Sequence, residues 1–591
     1  MSIVNFDLEA TGLPVYSDLT AAAWKVSGSL CEEIQFTKDP AVLIDILVET
    51  MREGHPIAGH NIVCYDLPLL VYWERNTRRR SSLMMEIFKD DTLIVDTLLL
   101  SRKHFLNYTS HSMDSWVDRL ILEGYEIPAK PEIEDWENAT DEDLRERVIC
   151  DVLIQEAITD FFVHQNGLLD NIANYNNIMK CQACIIDLMA NGVPYDSQTG
   201  QEKAVRLSNY MDIQEGKMAR DFGEINPLSS KQIDEALFEL YGERLPYGAP
   251  SKKLGKRSPQ IGQKNKNYLS NKYPELRSIF KWRDAKGQLD YLKKDKDSKK
   301  SFDNNVRFSK YFKKDTIHPA LSLFSSRTQR SQFSSPPLNQ LSKKVREMIA
   351  APEGECFLGA DIEALELKVL GTAMQELFGE DSILRSIEEG KDPKDHTIAC
   401  LQEAFDEVAR LDPSKDLRDL AKKTNYAFLF GQNPKNLCYV TLGIDQDFVP
   451  GVREGLEKRF PGMDDFLKLL QGEIEQYGYL KNYYGLEVAS PGYCSINSFV
   501  QSTGAEYALM VLSLFFKQLR IRLDHHVHPV IFNHDELDLL VNCTLQEAFQ
   551  DADQTVKDIM KNLPRTFEDT YQTKFIAGLD YSWGLNWADV H

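Results

Sequence analysis

Residues 528–541 read HPVIFNHDELDLLV. Two apolar runs flank a short polar centre, the pattern of two strands joined by an acidic turn. Asp535 sits in that turn. Far upstream, residues 354–371 read GECFLGADIEALELKVLG, an apolar strand pattern that runs into a helix pattern. Asp361 stands where the strand ends. A single Asp at a strand end is more commonly a turn residue. Two strands that bring one Asp each to a shared edge form instead a site for a pair of divalent ions. Between the two stretches lies LRDLAKKTNYAFLFG, residues 417–431. Arg418, Lys422, Tyr426 and Phe430 recur every four residues, so on a helix they share one slowly drifting face. Two cations followed by two rings suit a triphosphate beneath the charges and a base and sugar against the aromatics. The plainer alternative is an amphipathic surface helix, although two like charges at that spacing repel.

The other end of the chain carries a second acidic constellation. The opening MSIVNFDLE has the alternation of a strand, which puts Asp7 and Glu9 on one face. Asp66 follows in GHNIVCYD, together with Asn61, and Asp151 lies in the helix pattern RVICDVL. Carboxylates converging from several elements can hold two hard cations, activate a water and stabilise the leaving oxygen of a phosphodiester. A lone DxE is weak; its order with Asn61, Asp66 and a helical Asp151 is stronger. FDLEATGL, HPIAGHNIV and DTLIVDTLLL read as strands or strand ends, and VLIDILVETMREG and DLRERVICDVLIQEAITDFFV as helices. The first 165 or so residues therefore form an α/β unit. Helix patterns fill residues 170–225, up to Asn226-Pro227, and Ser229 with Gln232 resembles a capping box. Residues 243–275 read as an irregular basic connector.

Composition limits the remaining possibilities. The chain has 591 residues, 42% hydrophobic and 27% charged, which suits several buried cores rather than disorder. No run of about 18 apolar residues suggests a membrane span, and no signal or transit peptide is visible. The expected compartment is the cytoplasm. Ten Cys are spread without a secreted framework, and Cys181 and Cys184 read as buried thiols on a helix rather than metal ligands. The net charge of −22, taken as a sum, argues against a nucleic-acid partner; its distribution argues otherwise. Residues 251–315 hold 20 Lys+Arg against 7 Asp+Glu, with aromatics interleaved. That suits a phosphate backbone and stacked bases, and equally a solvated helical face or a flexible loop.

The C-terminal motifs together resemble family A DNA polymerases. Asp361 with Glu366 matches motif A, Arg418, Lys422, Tyr426 and Gly431 match motif B, and His534, Asp535 and Glu536 match motif C. Arg330, Arg346, His396, Asn497 and Gln501 add further matches. The N-terminal set resembles a DEDD 3′–5′ proofreading exonuclease: Asp7 and Glu9, Asn61 and Asp66, then Asp151, with Asp96-Thr97, His111 and Met113-Asp114-Ser115 between them. The nearest likeness is to replicative polymerases of T-seven-type phages, through DTLLLSR, Tyr426 and the ending GLNWADVH. The chain departs from the pattern at Ile362-Glu363-Ala364, Lys368, Ala427, Phe430 and Ser502. Arg147 stands where the proofreading motif has a Tyr that orients water.

The resemblance implies an α/β multidomain fold, an RNase H-like domain followed by a right hand. Residues 1–170 would be the exonuclease, 171–325 the thumb, 326–375 and 481–591 the palm, and 376–480 the fingers. It implies DNA-templated addition of dNTPs to a primer 3′ end, with proofreading, in phage genome replication. Asp361, Asp535 and the carbonyl of Ile362 would hold two Mg²⁺. Asp7, Glu9, Asp66 and Asp151 would hold two more, with Mn²⁺ able to substitute. Arg418, Lys422 and His396 would bind the triphosphate, Lys422 acting as proton donor. Glu366 would exclude a ribose 2′-hydroxyl, and Tyr426 would sit at the sugar 3′ position. Arg330, Asn497, Gln501 and His534 would touch the primer-terminal minor groove, where the acceptors are degenerate. Phe430 would lie near the templating base, and residues 251–315 would grip the duplex. Primer-template DNA and dNTPs are the implied partners, with a phage helicase/primase and a single-stranded DNA-binding protein as further candidates and no membrane. The short passage from DFGE to NPLSSKQI leaves no thumb insertion for thioredoxin. Two alternatives stay open: a 3′–5′ exonuclease with a nucleic-acid-binding C-terminal half, and a replisome scaffold without catalysis.

Overall fold

The computed structural model describes residues 2–590 apart from 13–15, 28–32, 90–91, 107, 134–138, 166–172, 246–258, 263–264, 293–311, 314, 335, 430 and 524–525. Thirteen of the 20 Lys and Arg of the basic stretch 251–315, and all of Phe430, therefore lie outside the described residues.

The N-terminal module is a five-stranded sheet: β1 (Ile3–Ala10), β2 (Leu19–Ser27), β3 (Gln35–Thr37), β4 (Ile57–Gly59) and β5 (Ile94–Asp96). Its order is β3-β2-β1-β4-β5. β2 runs antiparallel to β1, whereas β4 and β5 run parallel to it. Alternation along β1 sorts its side chains to two sides. Val4, Phe6 and Leu8 join one core with Leu43, Leu47 and Leu70. Ile3 joins the other, with Trp116, Ile154 and Phe162. Asn5, Asp7 and Glu9 share the parity of Ile3, so they look toward the long helix that covers that side. DTLIVDTLLL is not one strand. β5 has three residues, and Thr97–His104 is a helix because the Asp96 side chain accepts the amides of Leu98 and Leu99. An apolar run buried in a helix and one buried in a strand look alike over so few residues.

Four helices position the functional groups of this half: α1 (Asp66–Thr77), α2 (Asp141–Asp160), α3 (Ala173–Asn191) and α4 (Ser197–Phe222). α2 starts on a full capping box between Thr140 and Asp143 and lies across β1 and β2. α4 packs on Leu276–Leu292, and a separate core of Met211, Met218, Ile233, Leu276, Ile279 and Trp282 holds that unit together. Ser229 accepts the amide of Gln232, but the Gln232 side chain accepts from Asn226 instead of closing a capping box. The connector 243–275 is less irregular than its composition implies, since Lys266–Lys272 is helical and Asn271 donates to Gly443 O at 3.0 Å.

The C-terminal half is built on a four-stranded antiparallel sheet: β6 (Cys356–Ile362), β7 (Val527–Asn533), β8 (Glu536–Val541) and β9 (Leu579–Gly584), ordered β7-β8-β6-β9. Around it stand α5 (Leu365–Phe378), α6 (Pro393–Cys400), α7 (Leu417–Leu429), α8 (Ser495–Arg522) and α9 (Asp553–Tyr571). α8 is long and apolar enough to cross a membrane, yet 94% of its apolar window is buried inside the protein. Cys181 and Cys184 are buried on α3, and burial pushes the Cys181 thiol up to about 12, consistent with packing.

The two halves share one core. Asp187 on α3 is fully buried between Arg75 of α1 (2.7 Å) and Arg520 of α8 (3.0 Å). Removing one partner of a buried ionic cluster leaves uncompensated charge. Asp187→Ala should therefore lower unfolding stability by about 3–5 kcal/mol, with Asp187→Asn costing less. Urea denaturation checks this, and a loss under about 1 kcal/mol would show that the arginines find other partners.

Candidate active sites

The turn between β7 and β8 consists of His534 and Asp535. His534 has φ 64°, a left-handed conformation that a tight hairpin needs at its first central position. The hairpin brings Asp535 against the end of β6. Asp361 lies opposite Glu536 in the register, and the Ile362 amide donates to Asp535 O at 3.0 Å. The two aspartates thus meet at adjoining strand ends. Asp361 is exposed and Asp535 half-buried. Burial, then the charges of Glu366 and Asp361, push the Asp535 carboxyl up to about 7, against a smaller opposing effect of Arg330. Carboxylates that raise one another's pKa in this way are relieved by a bound cation. The hard oxygen donors fit a divalent ion such as Mg²⁺.

The sign of this shift gives a test. The folded chain holds the Asp535 proton more tightly than the unfolded chain. Its contribution to stability is full below about pH 4 and is lost as the pH rises through about 7. Asp535→Asn cannot ionise. Without metal it should melt at a higher temperature than the parent at about pH 8, with the gap closing by about pH 5. An equal gap at both pH values would remove the electrostatic account.

Neighbouring side chains converge on the same edge. Glu366, in the first turn of α5, is buried and accepts from Arg330 at 2.8 Å. Burial, then the charges of Glu366, Asp535 and Asp361, raise the Tyr426 phenol, which ties α7 to the carboxylates. The Lys422 ammonium lies 5.9 Å from the Tyr426 ring centre. Arg418, one turn further out, pairs with Asp392 and Asp395 at the start of α6. His396 on α6 meets Ser386 Oγ at 3.1 Å, and burial with the Arg459 charge lowers its pKa. His534 is lowered to about 4 by burial and Arg330. Its Nδ1 and Asn497 Oδ1 are buried without a hydrogen-bond partner among the described residues, and Gln501 is buried nearby in sequence on α8. Beneath the carboxylate edge, Trp587 Nε1 donates to Glu536 Oε1 at 3.2 Å, and the Arg346 guanidinium lies 4.1 Å from the Trp587 ring centre. Residues 584–590 thus close under the hairpin, a role no local pattern announces.

The second site sits at the open end of β1. One oxygen each of Asp7, Glu9 and Asp151 lies within 4.8 Å of the others. Asp66, at the first turn of α1, is buried beside them. Burial first, then Asp66, Asp151 and Glu9, hold the Asp7 carboxyl well above the usual range. Asp66 is likewise raised, burial leading. Three carboxylates at this spacing fit a hard divalent cation. Asp96 is a positioning residue: its carboxylate accepts the amides of Asn61 (3.1 Å) and Val63 (3.0 Å), which fixes the loop that carries Asp66. Asn61 itself has φ 70°. Sequence reasoning missed Lys130, whose ammonium lies 2.7 Å from Asp151 Oδ1. It comes from a loop with no periodicity to mark it. An open groove beside this cluster is lined by His60, Asn61, Arg102, His111 and Lys130.

Comparison with known proteins bears mainly on the C-terminal part. Residues 197–589 match the profile of DNA polymerase family A. The chain is 22% identical over 542 residues to DNA polymerase I of Aquifex aeolicus, covering 86% of this chain and 84% of that one. It is 26% identical over 394 residues to the thermostable DNA polymerase I of Thermus filiformis, covering 63% of this chain and 44% of that one. Its fold is similar to that of the POL domain of Pol1 from M. smegmatis, solved in complex with DNA primer-template and dNTP. The TM-score is 0.70 at 16% identity, over 99% of this chain and 96% of that one. With the family profile matched over most of its length, this chain belongs to DNA polymerase family A.

Proposed function

We propose that this chain extends a primer 3′ end with dNTPs on a DNA template and trims mismatched ends with its N-terminal module, in phage genome replication. The observation that carries the reading is the meeting of Asp361 with Asp535 at paired strand ends, beside Glu366 and Tyr426. Divalent ions held by Asp361, Asp535 and the Ile362 carbonyl would lower the pKa of the primer hydroxyl and neutralise charge developing on the α-phosphate. The chain's own groups do the rest. Arg418, Lys422 and His396 bind the triphosphate, and Lys422 gives a proton to the departing pyrophosphate. Arg418 must exchange Asp392 and Asp395 for phosphate oxygens, a trade of one charge-assisted pairing for another. Glu366, pinned by Arg330, fills the space of a ribose 2′-hydroxyl. Arg330, Asn497, Gln501 and His534 read the primer-terminal minor groove.

On this assignment residues 1–170 form the exonuclease, 171–325 the thumb, 326–375 and 481–591 the palm, and 376–480 the fingers. Asp7, Glu9, Asp66 and Asp151 hold the metal of the trimming site, and the groove beside Lys130 receives the unpaired strand. A primer-extension assay with and without dNTPs and Mg²⁺ tests both activities. Growth of the primer with dNTPs and shortening without them is the expected pair of results, while shortening without growth would leave only a nuclease. Tyr426 provides a finer check. If its hydroxyl stands in for the nucleotide 3′-hydroxyl, Tyr426→Phe should reduce dideoxynucleotide incorporation about a hundredfold relative to dNTPs, the value of one donor at a charged reacting centre. Unaltered dideoxy incorporation removes that role.

A further inference from the structure

The trimming site contains two fixed cations that a pair of metal ions would have to accommodate. Asp7, Glu9, Asp66 and Asp151 supply four negative charges, enough to balance two divalent ions. Arg147 and Lys130 already offset two of them. The Arg147 Nε donates to Asp151 Oδ2 at 3.0 Å and lies 3.8 Å from Glu9 Oε1. Its Nη1 donates to the Pro131 carbonyl at 2.8 Å, so the guanidinium is held from both sides. Lys130 covers the other oxygen of Asp151 at 2.7 Å and also reaches Asp114 at 3.1 Å. Asp151 is almost wholly buried, with its side chain 3% exposed, so solvent does little to screen these contacts. Arg147 is one helical turn before Asp151 on α2, and this i,i+4 spacing keeps the pair together as the helix forms.

Resting on the exonuclease reading, we infer that Arg147 is the second cation of the trimming site: together with Lys130 its guanidinium supplies the two positive charges of one divalent ion, and the site retains a single tightly bound ion. A guanidinium is planar, permanently charged and rich in donors, which suits an oxygen of the scissile phosphate as well as a carboxylate. In hydrolysis the water oxygen bonds to phosphorus and the P–O3′ bond breaks. Its electron pair goes to O3′, and a proton from the water ends on O3′. Arg147 would meet the negative charge that builds on the non-bridging oxygens, and an ion held by Asp7, Glu9 and Asp151 would supply further charge neutralisation. Lys130 keeps Asp151 paired when the guanidinium turns toward the phosphate.

The test counts ions and does not depend on activity. In the full chain carrying Asp361→Asn and Asp535→Asn, which removes the polymerase ions, Mn²⁺ binding is titrated by electron paramagnetic resonance. The trimming-site count is the part lost on adding Asp7→Ala. One Mn²⁺ is expected in this parent and two once Arg147→Ala is added. Two equally tight ions in the parent, or one in both, would overturn the inference. In the otherwise native chain, degradation of a single strand should be first order in Mg²⁺. Arg147→Ala should be about a hundredfold slower at the Mg²⁺ concentration that half-saturates the parent. It should recover with a second-order Mg²⁺ dependence, and Arg147→Lys should restore most of the loss. Unchanged rate and Mg²⁺ dependence in Arg147→Ala would also overturn it. Primer extension by the Arg147 variants reports that they fold. If no chain degrades DNA in an Asp7-dependent manner, the exonuclease reading fails, and the Mn²⁺ count alone judges Arg147.

Discussion

Asp535→Ala is expected to lower primer extension by at least about a thousandfold and to leave any shortening of single strands intact. The hairpin that carries Asp535 has no second residue able to replace it: His534 is neutral at working pH, with its pKa lowered to about 4, and Glu536 is buried and accepts from Trp587. Loss of one carboxylate leaves Asp361 and an Arg330-paired Glu366 to hold charge at the strand edge. A single preorganised donor at a developing oxyanion is worth about 10²–10³ in rate, and a ligand shared by the reacting centre is worth at least as much. The substitution does not threaten the fold, because the metal-free chain gains stability when this raised carboxyl loses its charge. Asp361→Ala should behave alike. Extension within tenfold of the parent in both variants would show that the chemistry lies elsewhere.

On the proposed exonuclease assignment, Asp7→Ala should produce the mirror result, with shortening reduced by about a thousandfold and extension unaffected. Asp7 is the most central member of its cluster, feeling Asp66, Asp151 and Glu9 together. Lys130 offsets that repulsion only weakly at Asp7, whereas Arg147 and Lys130 both pair directly with Asp151. Removal of Asp7 relieves like-charge repulsion at the end of β1, so the sheet should stay intact. The relevant measurement is the length of a labelled single strand over time with Mg²⁺ and no dNTPs. Equal shortening by parent and variant would mean that this cluster does not cut DNA. If extension were lost as well, the two modules would be coupled through their common core rather than independent.

Several parts of the fold were legible because they obey short periods. Alternation on β1 put Asp7 and Glu9 on one face, and the structure places them there with Asp151. The hairpin at 528–541 and the strand-to-helix passage at 354–371 follow the same logic. The four-residue recurrence of Arg418, Lys422 and Tyr426 survives as one face of α7. Legibility failed where a buried apolar run was shorter than either period, as at Leu98–Leu100, and where composition hid a short helix, as at Lys266–Lys272. The Arg418 pairing with Asp392 and Asp395 had no local signal either, since its partners belong to another helix.

The amino-acid order by itself determined which chemical groups are present and which face of its own element each one occupies. Those are consequences of covalent spacing and of the two- and 3.6-residue repeats. Only the tertiary structure decided that Asp361 meets Asp535, that Lys130 and Arg147 close on Asp151, and that Trp587 supports Glu536. Pairings between segments distant along the chain are selected by burial of the shared core, a property of the whole molecule that no local repeat encodes.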